Sequence, residues 1–474
     1  MIWSRRAFVT AIVASGSVVR PALALAPRLA RAQAIFDDIA HRTFRYFWET
    51  SDPRTGLVPD NWPNPKFASI AAIGMALNAY PIGVERGWIT RTAARARVLT
   101  TLRFLWSLPQ GPAGSGVAGH QGFFYHFLRM EDGLRFGNTE LSTVDSALLF
   151  AGMLFAAGWF DNDQADEAEI RRLAQALYER ADWRWFQRGQ SAISMGWHPE
   201  NGFIARNWDG YNEGMIVYVL ALGSPTHAVK PDAWQAWTAP YPRFWRGIGL
   251  QRHLAFAPHF GHQYSHIWID FRGIRDAPMR AAAFDYFENS RRATYAQRAY
   301  AMANPMQWRG YSRDIWGLTA CNGPADLTRQ IGAVTRKFAT YAARGPVGLP
   351  DGFDDGTIAP TAMVASLPFA PEVVTPSVAA LRHVSGGQLY GDYGFYDAFN
   401  PSFRFADIAV EQGKVDPQHG WISQNYLGID EGPMIAMIAN HRSDSIWRVM
   451  RRSSPIVQGL RRAGFTGGWL ERAQ

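Results

Sequence analysis

The sequence predicts an all-α fold in which inner and outer helices alternate around a ring, an α/α toroid, and three observations support it. Segments that are apolar on every face alternate along the chain with segments that carry one apolar stripe, the patterns of buried and surface helices. Long loops rich in Gly, Pro and aromatic residues separate the helical pairs, at residues 109–126, 189–212 and 345–372. Apolar residues make up 47% of the 474 residues and charged residues 19%, which suits a large core in one domain.

The first part of the chain begins this alternation. Residues 34–49 place apolar side chains at helical spacing and predict an amphipathic helix. A loop with Pro and Gly follows at 52–60, and residues 69–80 are apolar on nearly all sides, which indicates a buried helix. Thr90 is predicted to cap a charged amphipathic helix that ends at about Leu108.

The rest of the chain continues the pattern. Residues 140–160 are apolar all round, residues 163–183 are amphipathic and charged, and residues 215–222 are apolar again. Further helices are predicted at 285–302, 327–343, 434–439 and 443–452.

The N-terminal segment is predicted to be a targeting signal. Residues 4–9 match a twin-arginine pattern, an apolar run follows at 7–19, and small residues at Ala30 and Ala32 frame a cleavage site after Ala32. The alternative is an ordinary secretory peptide with a chance arginine pair. Both readings predict a bacterial protein exported to the periplasm. The rest of the chain, residues 33–474, is predicted to form one catalytic domain.

Charge and composition exclude several classes of function. The formal net charge is +8, but the first 32 residues hold five arginines and no acid, and the remainder holds 43 basic and 40 acidic residues. This balance lacks the concentrated basic face of a nucleic-acid-binding protein. The sequence contains no uninterrupted stretch of 20 apolar residues, so it predicts no membrane span. The lone Cys321 is predicted to be a small buried residue, and the sequence carries no signal for an oligomeric state.

Neither a metal nor a cofactor is expected. The sequence has no HExxH, CxxC or P-loop motif and no GxSxG nucleophile elbow. Residues 351–356 resemble a calcium loop but lack the bidentate Glu at the required offset, so a turn is predicted there. The chemistry must therefore come from acidic side chains.

Acidic residues stand at the start of several apolar helices. Paired carboxylates in an aromatic cleft are the usual means of cutting glycosidic bonds, and the 19 Trp residues offer platforms on which sugars can stack. For each carboxylate, capping of the helix is the alternative, because the helix dipole favours an acid there. The candidates are Glu140, Asp145, Asp209, Glu213, Asp397, Asp430 and Glu431.

Ordered motifs connect these candidates with a known family. The motifs lie at residues 46–49, 55–60, 122–127, 140–145, 208–213, 269–273, 315–320, 355–362, 393–400 and 428–433. Together they resemble the bacterial glycoamylase-like domain, whose characterised members are β-1,2-glucanases of glycoside hydrolase family 144 and its relatives. The motifs span residues 36–450, almost the whole chain after the targeting segment.

The resemblance implies an (α/α)6 toroid with a pocket at one end of the inner helices. By motif position, Glu213 resembles the general acid and Asp397 the base that drives water through a proton relay, an inverting mechanism. Glu140 and Asp145 match acidic positions at the subsite where the bond is cut. In transglycosylating relatives an acid in that region is the nucleophile, so a retaining mechanism is the alternative.

The same motifs supply candidate substrate-binding residues, each with a structural alternative. His126 is a candidate hydrogen-bond donor or a structural histidine, and the aromatic rings are stacking platforms or core residues. Arg272 can hold sugar hydroxyls or form an ion pair that fixes its loop. Asn212 and Gly214 depart from the expected pattern. The full set is Trp208, Asp209, Tyr211, His126, Arg272, Trp316, Tyr393, Asp430 and Glu431.

The sequence therefore predicts a glycoside hydrolase that cleaves β-glucan, first of all β-1,2-glucan, by carboxylate acid/base catalysis. Its partner would be a glucan oligo- or polysaccharide. The alternatives are a β-glucan transglycosylase or an exo-acting glucosidase and, in another class, a carbohydrate-binding protein without catalysis.

Overall fold

The computed structural model describes the backbone of residues 20–473 and the side chains of residues 33–473. Most of the predicted targeting segment, residues 1–19, lies outside the described residues. The helices are α1 (Arg20–Thr50), α2 (Ile70–Glu85), α3 (Arg91–Ser107), α4 (Thr143–Trp159), α5 (Ala165–Glu179), α6 (Trp183–Gln187), α7 (Met215–Gly223), α8 (Ala233–Thr238), α9 (Tyr264–Trp268), α10 (Ala277–Ala282), α11 (Tyr286–Ala303), α12 (Pro360–Val364), α13 (Pro371–Leu381), α14 (Gly428–Ser443), α15 (Ser445–Met450) and α16 (Ser454–Arg462).

An inner ring and an outer ring of helices form an (α/α)6 toroid, as predicted. The inner helices α2, α4, α7, α9, α12 and α14 are buried along all or nearly all of their length. In chain order they alternate with the outer helices α1, α3, α5, α8, α11 and α13. Helix α2 packs against α4 and α14, α4 against α7, α7 against α9, and α12 against α14. The Gln263 side chain, next to α9, donates to the Ala362 carbonyl of α12 at 2.9 Å and completes the ring.

Local sequence signals explain where several of these helices begin. The side-chain oxygens of Ser69, Thr90, Ser142 and Asp285 accept hydrogen bonds from the first turns of α2, α3, α4 and α11. Such caps satisfy backbone donors that have no partner within the helix. The predicted buried helices at 69–80 and 140–160 and the capped helix after Thr90 are confirmed.

Two glycines allow the inner helices α2 and α4 to pack backbone against backbone. A Cβ atom at Gly74 would lie 2.4 Å from the Leu148 carbonyl oxygen, and one at Gly152 would lie 2.2 Å from the Gly74 oxygen. No larger side chain fits at either position without moving a helix. This contact fixes the spacing of two helices whose N-terminal ends reach the same cavity.

Short strands connect the helices at the end of the toroid. They are β1 (Asn61–Trp62), β2 (Ala68–Ser69), β3 (Gly119–His120), β4 (Phe123–Phe124), β5 (Phe127–Leu128), β6 (Leu141–Ser142), β7 (Gly196–His198), β8 (Gly202–Phe203), β9 (Trp245–Arg246), β10 (His253–Leu254), β11 (Ala320–Asn322), β12 (Leu327–Ile331), β13 (Val334–Phe338), β14 (Tyr341–Ala343), β15 (Tyr390–Gly391), β16 (Gly394–Phe395), β17 (Phe399–Asn400), β18 (Lys414–Asp416), β19 (Gly420–Ile422) and β20 (Tyr426–Leu427). They pair in antiparallel groups of two or three strands, such as β6–β7–β8 and β17–β19–β18.

The prediction of a helix at residues 327–343 is wrong. This stretch forms the antiparallel hairpin β12–β13, with Ile331 paired to Val334, and then β14, which pairs with β11. Gly332 in the two-residue turn has a φ of 59°, a left-handed conformation that ends a strand and closes a tight hairpin. Helix α14 also begins earlier than predicted, at Gly428, so that Asp430 and Glu431 lie in its first turn.

The core runs through the inner ring, and a smaller apolar cluster lies beneath the β12–β13 hairpin. Cys321 is buried in that smaller cluster, as predicted. Beside it, Arg344 and Asp355 form a fully buried ion pair at 2.7 Å, so the predicted turn at 351–356 is fixed from within. In the part of the chain that the structure describes, no helix is long and apolar enough to cross a membrane.

Candidate active site

The N-terminal ends of inner helices meet around a cavity of about 670 Å³. Inner-ring side chains that line it come from the starts of α2, α4, α7, α9 and α14, and the loops add polar and aromatic groups. The lining includes Asp60, Lys66, Phe67, Ser69, His126, Asp145, Glu213, Phe260, Tyr264, Asn322, Tyr341, Glu411, Gln412, Asn425 and Ile429. Of the predicted catalytic residues, Glu213 and Asp145 therefore face this cavity directly.

Glu213 faces the cavity and does not cap its helix. The N-cap of α7 is Gly214, which has no side chain to accept a bond, and the Asn212 Oδ1 atom accepts from the Gly214 N–H at 2.9 Å. The Glu213 Oε2 atom is buried and has no hydrogen-bond partner among the described residues. Burial, reinforced by the nearby charge of Asp145, raises the Glu213 pKa to about 7. This carboxyl group can therefore carry a proton at neutral pH.

Asp397 and Asp430 are buried carboxyl groups, 5% and 4% exposed, and each affects the ionisation of the other. The Oδ2 atom of Asp397 accepts from the backbone N–H of Asn322 at 2.7 Å, and its Oδ1 atom is buried without a partner among the described residues. Burial raises both pKa values, that of Asp397 to about 6 and that of Asp430 further, because the charge of Asp397 opposes a second ionisation. At neutral pH the pair therefore shares a proton, because the first ionisation makes the second harder.

His126 bridges Glu140 and Asp145. Its Nδ1 atom lies 2.8 Å from Glu140 Oε1, and its Nε2 atom lies 3.5 Å from Asp145 Oδ1. Burial opposes a charge on the imidazole, but Asp145, Glu140 and Asp60 outweigh it and raise the His126 pKa to about 9. The same contact lowers the Glu140 pKa against the effect of burial. The group is an imidazolium between carboxylates.

These three residues also offer ligand atoms that could hold a metal ion, all within 4.8 Å of one another. A metal needs a neutral imidazole with a free lone pair. With a His126 pKa of about 9, both ring nitrogens carry protons at neutral pH and point at carboxylates. Without a metal ion, the three side chains form a charge network in which both ring nitrogens of His126 face carboxyl groups.

The Asp60 carboxyl group lines the cavity, although Asp60 was not among the candidate residues predicted from the sequence. Burial and the neighbouring charges of Asp145 and Asp397 raise its pKa to about 6, although His126 opposes this shift. Its only sequence signal was its place in the motif at 55–60. Tyr341 was also missed, because it fell in the wrongly predicted helix; its side chain is 56% exposed and lines the cavity.

Three of the predicted substrate-binding aromatic residues lie in the core and not in the cavity. Trp208 is 4% exposed and donates to Thr143 Oγ1 at 2.8 Å. Trp316 is 1% exposed and donates to Ser377 Oγ at 2.8 Å. Tyr211 is fully buried, with its hydroxyl 3.1 Å from His262 Nδ1. Core packing, the alternative for each ring, agrees with these positions.

Four other predicted binding residues are also absent from the cavity lining. Arg272 forms ion pairs with Asp270 at 2.7 Å and Asp444 at 2.8 Å, which matches the loop-fixing alternative. Asp209 is exposed on the surface. Tyr393 packs edge-on against Tyr46 and Tyr426. Glu431 is 1% exposed within the first turn of α14.

Known proteins share this architecture. A crystal structure from Bacteroides uniformis superposes with a TM-score of 0.77 at 30% identity, over 92% of this chain and 98% of that one. An endo-β-1,2-glucanase from Chitinophaga pinensis, solved with sophorotriose and glucose, gives a TM-score of 0.75 at 25% identity, over 92% and 99% of the two chains.

A curated relative from Parabacteroides distasonis, an exo β-1,2-glucooligosaccharide sophorohydrolase (non-reducing end), is 26% identical over 463 residues. That alignment covers 91% of this chain, and the chain spans 58% of the length of this relative. The Glycoamylase family model, described as "Putative glucoamylase", matches residues 205–454, more than half of the chain. By this match and the shared toroid, the chain belongs to the glycoamylase-like family.

Proposed function

We propose that this protein is a glycoside hydrolase that cleaves β-1,2-glucan with Glu213 as the general acid. The observation that carries the proposal is the Glu213 carboxyl group, which faces the cavity with a buried, unpartnered oxygen and a pKa raised to about 7. A general acid must hold its proton near the working pH, and burial achieves this here. The relatives from Chitinophaga pinensis and Parabacteroides distasonis, both named for β-1,2-linked glucans, support the choice of linkage.

In the proposed reaction, Glu213 donates its proton to the glycosidic oxygen as the bond to the anomeric carbon breaks. Asp397, ionised beside protonated Asp430, accepts a proton from the attacking water, either directly or through an intervening hydroxyl group. The water oxygen bonds to the anomeric carbon from the opposite face, so the configuration inverts. The released β-linked glucose unit would first appear as the α-anomer.

The charged group of His126, Glu140 and Asp145 has a supporting role in this proposal. Its imidazolium offsets part of the negative charge of three cavity carboxylates, including Asp60. A cavity without that cation would hold a proton more tightly on every carboxyl group. Glu140 thus stays ionised beside His126, and the Asp145 side chain, which lines the cavity, can accept hydrogen bonds from sugar hydroxyls.

Exo action that releases a disaccharide is a second candidate. The curated relative from Parabacteroides distasonis is named for this activity at the non-reducing end. The lengths of the first products from a long linear glucan separate the two candidates: a spread of oligosaccharides indicates endo action, and sophorose alone indicates exo action.

The test uses linear β-1,2-glucan, the wild-type protein and the Glu213→Gln variant, with released sugars followed by NMR. We expect wild-type turnover with the α-anomer first, and a loss of at least about 100-fold in kcat for the variant. Asp209→Asn is the matched control, because this carboxylate lies on the same segment but is exposed outside the cavity. It should retain full activity.

Each other outcome changes the proposal in a defined way. A β-anomer as first product would replace inversion with a retaining mechanism and make Glu140 the nucleophile to test. Turnover of β-1,3- or β-1,4-glucan in place of the β-1,2-linked polymer would overturn the substrate. Sugar binding by calorimetry with no turnover of any of these glucans would leave a carbohydrate-binding protein.

We also propose export to the periplasm by the twin-arginine route, on the pattern at residues 4–9. Mass spectrometry of the protein from the periplasmic fraction should find Gln33 as its first residue. An Arg5→Lys/Arg6→Lys variant should stay in the cytoplasm. Export of that variant would indicate an ordinary secretory signal.

A further inference from the structure

A surface hairpin exposes two aliphatic side chains almost completely. Strands β9 and β10 pair through Arg246 with His253 and Trp245 with Leu254, and the tip comprises residues 247–252. Ile248 is 85% exposed and Leu250 88% exposed at this tip. Isolated apolar residues are normal on a surface, but two such side chains projecting from one tight tip mark an interaction site.

Hydrogen bonds hold the base of this tip in place. The Asn289 side chain of α11 bonds to both the N–H and the carbonyl of Leu254, at 2.7 and 3.0 Å. The Arg292 guanidinium donates to the Arg252 carbonyl at 2.9 Å. Gly247 and Gly249 have φ values of 70° and 54°, which turn the chain outward without a side-chain clash. The two exposed aliphatic side chains therefore lie on a hairpin whose base is anchored by hydrogen bonds.

Unpaired positive charge surrounds this tip. Residues 233–269 contain no Asp or Glu, and Arg243, Arg246 and Arg252 all lie within this segment. In the described part of the chain, none of the three comes within 4.0 Å of a carboxylate. The Arg252 guanidinium lies 4.1 Å from the centre of the half-buried Trp245 ring. The tip thus combines aliphatic side chains, an amphipathic aromatic ring and free cations.

We propose that this hairpin docks the protein on an anionic phospholipid surface. Aliphatic side chains enter the boundary between headgroups and acyl chains, Trp rings favour that boundary, and arginines bind lipid phosphates. Residues of the tip and of its base meet each requirement. The docked hairpin would place the enzyme at a membrane face.

The charge pattern argues against two other occupants. A symmetric contact between two copies of the chain would bring two sets of three unpaired arginines together, which like-charge repulsion opposes. A neutral glucan has no charge for these cations, and sugars stack on aromatic faces in preference to branched aliphatic tips. An acidic protein is the competing partner. Failure of the wild type to sediment with anionic vesicles would favour it over a lipid surface.

A second hairpin provides the matched control. The β12–β13 turn also exposes aliphatic side chains, Ile331 at 37% and Val334 at 47%. Its Arg329 pairs with Asp407 at 3.0 Å. Substitution at this turn removes a smaller exposed apolar area from a separate hairpin, so it tests whether loss of any exposed aliphatic pair weakens binding.

The test is co-sedimentation of the full chain with sucrose-loaded vesicles of phosphatidylethanolamine and phosphatidylglycerol, and with vesicles of phosphatidylcholine alone. The variants are Ile248→Ser/Leu250→Ser, Arg243→Gln/Arg246→Gln/Arg252→Gln and the control Ile331→Ser/Val334→Ser. Because all of them share residues 1–32, differences between them report on the hairpins. Hydrolysis of linear β-1,2-glucan by each variant verifies that it is folded, independently of lipid binding.

We expect binding to the anionic vesicles alone, weakened at least about tenfold by the aliphatic substitutions. The arginine substitutions should weaken binding by a similar factor and remove its dependence on salt between about 0.05 M and about 0.5 M NaCl. The control variant should bind like the wild type. Equal binding by the wild type and Ile248→Ser/Leu250→Ser would overturn the proposal. So would failure of the wild type to sediment with anionic vesicles, or a dimer in sedimentation velocity that this variant dissociates.

Discussion

At the scale of single residues, the neighbours of each carboxyl group decide what it can do. Glu213 lines the cavity, and Glu140 contacts His126 of that lining. Burial raises the pKa of Glu213 to about 7, whereas contact with His126 lowers that of Glu140. One can donate a proton near neutral pH and the other stays ionised. A division of this kind between two carboxyl groups is the usual signature of acid/base catalysis.

The dependence of kcat/KM on pH follows from these values. Asp397 must be ionised to accept a proton, so activity should fall as the pH drops below about 6. Glu213 must be protonated to donate one, so activity should fall as the pH rises above about 7. We therefore expect a narrow bell with its maximum between these values, measured as initial rates on β-1,2-glucan.

A control identifies the group behind the acid limb of this profile. Asp60 also has a pKa raised to about 6, so its titration overlaps with that of Asp397. An Asp60→Asn variant should keep the acid limb, because the buried pair at Asp397 and Asp430 remains. Loss of the acid limb in this variant would transfer the role of base from Asp397 to Asp60.

Tyr341 is the aromatic side chain that the structure favours as a sugar platform. It is 56% exposed and lines the cavity, so its removal costs little packing. Tyr341→Ala should raise KM about three- to tenfold, with an unchanged melting temperature. Trp316→Phe should behave in the opposite way, with KM unchanged and stability reduced, because it loses a buried bond to Ser377. A fall in stability for Tyr341→Ala without any change in KM would contradict this assignment.

Sequence motifs located the acidic residues of the cavity better than its aromatic ones. Glu213, Asp145 and His126 line the cavity, and Asp397 contacts Asn322 of its lining. Trp208 and Trp316 belong to the same motifs but point into the core. Acidic residues are rare in buried segments, so an acid within an apolar stretch of sequence is a clear signal. An indole ring packs equally well in a core or in a cleft, so its position is not predicted by the sequence.

At the scale of elements, the β12–β13 hairpin shows where periodicity misleads. Leu327, Ile331, Val334 and Phe338 follow helical spacing, and this pattern predicted a helix. The same four residues are also the first and last positions of two strands of equal length, joined by Gly332 and Ala333. The Gly in a left-handed turn and the threonines in both strands were the competing signals.

The close contact of helices α2 and α4 predicts a sharp effect of a small substitution. Gly152→Ala places a Cβ atom 2.2 Å from the Gly74 oxygen, and the two helices must separate to admit it. We expect a loss of about 1–3 kcal/mol or more in the free energy of unfolding, measured by chemical denaturation. Gly158→Ala in the same helix is the control, since its Cβ atom meets only a Val449 methyl group. Equal losses in both variants would show that the backbone contact is not the cause.

At the scale of the whole molecule, stability should fall as the pH rises from about 7 to about 9. In this range the buried His259, His262 and His266, whose pKa values folding lowers, are neutral in the folded and the unfolded chain alike. Glu213 and His126, in contrast, have pKa values raised by folding, to about 7 and about 9. Over this range the folded chain binds more protons at these groups than the unfolded chain, so each contribution is lost as the pH passes the folded pKa. Melting temperatures in buffers of equal ionic strength measure the slope.

One variant should separate activity from stability. Glu213→Gln removes the cost of a buried charge, so above pH 7 it should be more stable than the wild type by about 1–3 kcal/mol. Near pH 3, where the glutamate is protonated in both folded and unfolded chains, the two proteins should melt alike. A wild-type protein that is the more stable one at pH 8 would show that Glu213 is not held protonated by its surroundings.

The ring architecture was accessible from the sequence because its cause is repetitive. Inner helices such as α4 and α7 are apolar on all faces, and outer helices such as α5 are not, so burial alone assigns each one to a layer. The loops that build the cavity follow no period. Their conformations depend on contacts between distant segments, such as Asn61–Trp62 with Tyr426–Leu427, which no local pattern encodes.

The proposed acid and base stand on different kinds of structure. Glu213 precedes a helix of the buried inner ring, whereas Asp397 is held by the main chain of Asn322, where the chain leaves the ring for a surface hairpin. Surface loops accept insertions and substitutions that a packed ring does not. The surroundings of the proposed base Asp397 can therefore change during evolution while those of the proposed acid Glu213 stay the same. Proteins that share this fold are then free to differ in the products they form.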